Sequence, residues 1–215
     1  MIEISSGTED QMVLAFLQAE IDSPRYGATC RQWLSGMGIT RADFIDQADL
    51  SRPEDNAIRA ELLGHYRGYG KNTALFTRFP DDVEWRHVKM TVAELSAVRY
   101  PGYDRSAWCA LSAGTNCVGD GAANLDKIEA YEIPLGETTP RPINENIRCV
   151  ANLIKRGRLF PELVLVQVES EKLAVIEGST RATAYVSLNW SEPVGAMIGT
   201  SDRIRLWSKV FQLTE

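Results

Sequence analysis

One stretch near the end of the chain admits few local structures: Leu173-Ala-Val-Ile-Glu-Gly-Ser-Thr-Arg-Ala-Thr-Ala-Tyr185. Its first half is apolar and ends in an acid. Its second half has a helical composition, and a single glycine, Gly178, separates the two. A strand that turns on one glycine directly into a helix leaves the first amides of that helix without intrahelical partners, at the positive end of the helix dipole. With Ser179 and Thr180 opening the helix and Arg181 within reach, the turn has the groups that hold a phosphate: free amides, hydroxyls and a guanidinium.

The texture around this turn divides the chain. Residues 1–130 read as a mostly helical region. Thr8 and Gln11 form a capping-box pattern ahead of a helix to Glu20, with Met12, Phe16 and Ala19 on one face. Pro53 in a first turn opens a helix with Ile58, Leu62 and Tyr66 inward. Val83 to Met90 alternates loosely, as a strand would, and shorter helices are expected near Cys30 to Leu34, Ala42 to Gln47, Val92 to Val98 and Ser106 to Ala113. The glycine-rich run Gly114 to Gly121 lacks the Gly-Lys-Ser/Thr ending of a phosphate loop and reads as a flexible connection. In residues 131–215 strands and helices alternate: a strand at Tyr131, a helix from Asn144 to Arg156, a hairpin of Leu163 to Val168 with Leu173 to Ile176, a helix from Thr180 to Leu188, and a strand from Val194 to Ile198. The expected class is α+β, a helical region followed by a small mixed sheet with helices.

Charge and cysteine usage narrow the function classes. A net charge of -6 repels polyanions at long range, so a nucleic-acid partner is disfavoured. No apolar run approaches the roughly 20 residues of a membrane span. The first ten residues carry acids where a secretory signal has a basic stretch, and a cytoplasmic chain is expected. The four cysteines and two histidines, His65 and His87, show no metal-ligand spacing, so no metal site is read from them. Arg67-Gly-Tyr-Gly-Lys71 could form a basic lip over a pocket or a solvated helix end.

The order of elements from residue 131, together with Gly157, Leu159 and Pro161 after one helix and the Glu177 to Arg181 run before the next, resembles the ParB N-terminal-like domain and its relative sulfiredoxin. The looser pattern Glu-Gly-His-Thr-Arg of uncharacterised bacterial members is the nearest in form, with Ser179 in place of histidine. That resemblance implies a nucleoside triphosphate, ATP or CTP, bound through its phosphates at Gly178, Ser179, Thr180 and Arg181, with Mg2+. The shared property of the resembled proteins is phosphate binding, and the first reading built on it is a phosphotransferase acting on an unknown small-molecule acceptor, or an NTP hydrolase, either of which would need the metal. The alternative is a non-catalytic nucleotide-gated regulator or a DNA-associated module of partitioning, defence or nuclease-like type. A homodimer is compatible with either. Sulfiredoxin has a cysteine at the place of Ser179, so thiol chemistry is not implied here. The catalytic carboxylates would be Glu177, beside the glycine, and Glu145, from the preceding helix, although an acid in the first turn also serves the helix dipole.

Overall fold

The computed structural model describes residues 1–102, 106–133, 138–169 and 172–209. The first strand, β1 (Ile2–Gly7), leads to Thr8, whose hydroxyl accepts from the Gln11 amide at 3.2 Å while the Gln11 side chain accepts from the Thr8 amide at 2.8 Å. This reciprocal cap starts α1 (Glu9–Glu20) as the sequence indicates. Next come α2 (Gly27–Gly36), a π-helical turn at Ala42–Asp46, and α3 (Pro53–Arg67), which ends on the left-handed Gly68. After a 3₁₀ turn at Ala74–Phe76 the chain forms β2 (Glu84–Met90), α4 (Val92–Ser96), α5 (Ala107–Leu111) and α6 (Val118–Ala123). The remainder is β3 (Tyr131–Glu132), β4 (Arg141–Pro142), α7 (Ile143–Lys155), β5 (Leu163–Gln167), β6 (Leu173–Glu177), α8 (Ser179–Ser187), β7 (Val194–Thr200) and a 3₁₀ turn at Ile204–Leu206. The class is α+β. Among the described residues no helix is long and apolar enough to cross a membrane.

One five-stranded sheet, in the order β1-β2-β7-β5-β6, organises the molecule. All neighbours are antiparallel except β5 and β7, which are parallel. Strands from both sides of residue 131 thus share one sheet, and β3 with β4 makes a separate short ladder. Successive residues of the central strands alternate between two apolar layers, as the two-residue strand period requires. Val164, Val166, Ala174, Ile176 and Met197 pack with α1, α2 and α3. Leu163, Leu165, Val175, Ala196 and Ile198 pack on the other face with α4, α6 and α8. Because both faces are covered, β5 and β6 read as unbroken apolar runs rather than alternating ones.

Two segments depart from the sequence reading. β1 carries no apolar alternation pointing to a core, because it is an exposed edge strand interrupted by a bulge between Glu3 and Ser5. The run Gly114 to Gly121 is not a flexible connection throughout, since α6 begins at Val118. The glycines within α6 serve close packing: a Cβ on Gly121 would stand 2.3 Å from the Tyr100 hydroxyl, and one on Gly119 3.0 Å from the Ser96 carbonyl. The turn expected at residues 170–172 lies mostly outside the described residues, but the hairpin it joins, β5 with β6, is formed.

Candidate functional site

Glu177 closes β6, and Gly178 follows with φ 107 and ψ 17. A side chain is doubly excluded there, by the backbone conformation and by Leu163, whose Cδ2 would be 2.4 Å from a Cβ. No side chain caps α8, whose first residues, Ser179 and Thr180, are partly exposed. The first turn is braced from beneath. Thr183, fully buried, donates its hydroxyl to the Ser179 carbonyl at 2.7 Å and also pairs with the Tyr100 hydroxyl at 2.7 Å. The β6–α8 turn is therefore a rigid, glycine-led helix start.

Arg181 does not project outward as a free clamp. It is 6% exposed, and its guanidinium is bonded to the Glu177 carboxylate and the Pro161 carbonyl, with a longer bond to the Glu162 carbonyl at 3.3 Å. The turn that follows Gly157 thus reaches the site through backbone oxygens, while Leu159 within it is 93% exposed and packs against little. The side chain of Glu162 turns the other way and accepts from His87 Nδ1 at 2.7 Å, which makes His87 a tie between β2 and this turn. Glu145 is exposed in the first turn of α7, where its charge bears on Tyr131. No hydrogen bond or ion pair joins it to residues 177–181 among the described residues, and the helix-dipole role suits it.

The helical region contributes what the sequence reading omitted. Glu20, the last residue of α1, is 5% exposed, and Ser23 donates to it at 3.2 Å. Arg67, at the end of α3, stands 3.7 Å from its carboxylate, donates to the Tyr26 hydroxyl at 2.6 Å and stacks on the Tyr26 ring. Burial pushes the Glu20 carboxyl up to about 7; Arg67 pulls it down, and the nearby charge of Glu177 pushes it further up. Two ion pairs, Glu20 with Arg67 and Glu177 with Arg181, thus lie close enough for the two carboxylates to repel each other. One signal for Glu20 was present in the sequence. It falls four residues beyond Phe16 and eight beyond Met12, an acid on an apolar helical stripe. Cys30, buried alongside, is no nucleophile, since burial raises its thiol to about 11.

This environment sets a pH dependence. An acid whose folded pKa exceeds its unfolded value, here about 7 against 4.5, stabilises the fold fully below 4.5 and loses that contribution as pH rises through 7. Urea unfolding between pH 5 and pH 8 is expected to show this decline. Glu20→Gln is expected to flatten it and to be more stable than the parent at pH 8.

Among the described residues no three His, Cys, Asp or Glu side chains gather to hold a metal. Mg2+ asks for less, one or two carboxylates with the rest of its shell from substrate phosphate and water, and Glu177 is placed to be such a carboxylate. No protein-family model, no curated protein and no solved structure matches this chain.

Proposed function

We propose that the chain is a nucleotide-binding protein of ParB/sulfiredoxin-like type that uses ATP or CTP, with Mg2+, as a phosphotransferase or NTP hydrolase. The observation that carries this reading is the uncapped start of α8 behind a left-handed glycine, with buried Arg181 and its partner carboxylate Glu177 beside it. The amides of Ser179 and Thr180 would receive phosphate oxygens. Arg181 would exchange the Glu177 carboxylate for phosphate oxygens, to which its fork can also bond in bidentate fashion. Glu177, released by that exchange, would hold Mg2+ together with the phosphates, and the ion supplies charge neutralisation. In the transfer the attacking hydroxyl or water would form the new P–O bond as the bond to the nucleoside diphosphate breaks, its proton passing to solvent.

Titration of the protein with ATP and with CTP, with and without Mg2+, followed by phosphorus NMR of the products, tests this reading. Saturable binding and release of a nucleoside diphosphate are expected. Binding without turnover would turn the protein into a nucleotide-gated module. Absence of binding at millimolar nucleotide contradicts both.

A further inference from the structure

At the far end of α1 from Glu20, roughly 16 Å away along the helix axis, lies a cavity of about 620 Å³. Its volume falls within the range of small-molecule sites. Its wall is aromatic: Tyr69 meets Phe76 edge-on at 4.8 Å between centroids, and Phe76 meets Phe79 edge-on at 5.1 Å. Phe79 in turn rests on Trp207, a fully buried ring whose Nε1 donates to the Leu75 carbonyl at 2.6 Å. The rings are therefore fixed by the core rather than free to collapse into the space.

Charge around the mouth is unevenly committed. The Glu9 carboxylate accepts from the Tyr69 hydroxyl, and Asp81 is paired with Arg203. Arg78, an exposed residue, also lines the cavity, and its guanidinium makes no hydrogen bond or ion pair among the described residues. Its placement is imposed by the backbone. Asn72, Ala74 and Arg78 all hold positive φ, at 52, 51 and 59, and the Asn72 side chain accepts from the Arg78 amide at 2.6 Å. Side-chain-bearing residues adopt this region rarely, and runs of them persist where the surrounding structure fixes them, often around ligands. The loop begins at the Gly-Tyr-Gly that the sequence offers as a lip over a pocket.

We infer that this cavity is a binding site for a small aromatic carboxylate, with its ring among Tyr69, Phe76 and Phe79 and its carboxylate forked onto Arg78. A single uncommitted guanidinium matches one carboxylate. Glu9 and Asp81 at the same mouth oppose a doubly charged phosphate, which selects a monoanion.

The test is calorimetric and NMR titration of the full chain with benzoate, phenylacetate and indole-3-acetate, each against its neutral amide. At least one acid is expected to bind ten-fold or more tightly than its amide, and Arg78→Ala to bring the acid to the level of the amide without altering the melting temperature or nucleotide binding. Should Arg78→Ala disturb folding, Arg78→Gln replaces it with the same expectation. Binding of none of the acids, equal binding of acid and amide, or unchanged acid affinity in the variant overturns the inference.

Discussion

Arg181→Ala is expected to destabilise the protein by roughly 3–5 kcal/mol, the usual cost of removing one partner from a buried ion pair. Arg181 and Glu177 retain only 7% and 16% side-chain exposure. Truncation leaves the Glu177 carboxylate without its counter-charge and takes a donor from the Pro161 and Glu162 carbonyls together. In a chain of 215 residues this corresponds to a fall in melting temperature on the order of 10 °C. Circular-dichroism melts check it, and a change within a degree or two would mean that the guanidinium is solvated rather than buried. The double change Arg181→Met with Glu177→Leu is expected to recover much of the loss, because an apolar pair of similar volume can replace a buried ion pair. A loss of nucleotide binding in Arg181→Ala alone therefore says little about a phosphate site, since the variant also loosens the fold.

Gly178→Ala carries the second large effect. Holding alanine at φ 107 costs about 1–3 kcal/mol. The added methyl, 2.4 Å from Leu163 Cδ2 and 3.1 Å from Arg181 Nη2, adds an overpacking cost of about 1–3 kcal/mol. Gly157 is the natural comparison. It also has positive φ, 81, but nothing lies within 4 Å of its would-be Cβ. Gly157→Ala should show the backbone cost alone. Urea midpoints for the two variants measure the difference, and equal values would show that Leu163 can move aside without loss.

Much of the scaffold was legible because its signals are local. The reciprocal Thr8–Gln11 cap, Pro53 in the first turn of α3, and the apolar runs of β5 and β6 each declare themselves within a few residues. β1 was not legible, since an exposed, bulged edge strand carries no burial pattern. α6 was hidden by glycines that look like loop material but give close packing, Gly121 against Tyr100 and Gly119 against Ser96. Of the candidate site, the turn on Gly178 and the helix start after it followed from sequence. The inward guanidinium did not, because its acceptors Pro161 and Glu162 lie about 20 residues away. Glu20 and Arg67 escaped for the same reason, being brought to the turn by tertiary packing of α1 and α3 alone.

The central claim is that the exposed amides at the start of α8 receive a phosphate, and Ser179→Asp tests it most directly. An acid in the first turn suits the helix dipole, so the variant should be as stable as the parent or slightly more so. Its carboxylate would stand where the phosphate is expected. Calorimetric titration with ATP and CTP is predicted to show binding in the parent and at least a ten-fold loss in Ser179→Asp. Equal affinity in the two proteins, or no binding in the parent, would contradict a phosphate site at this turn.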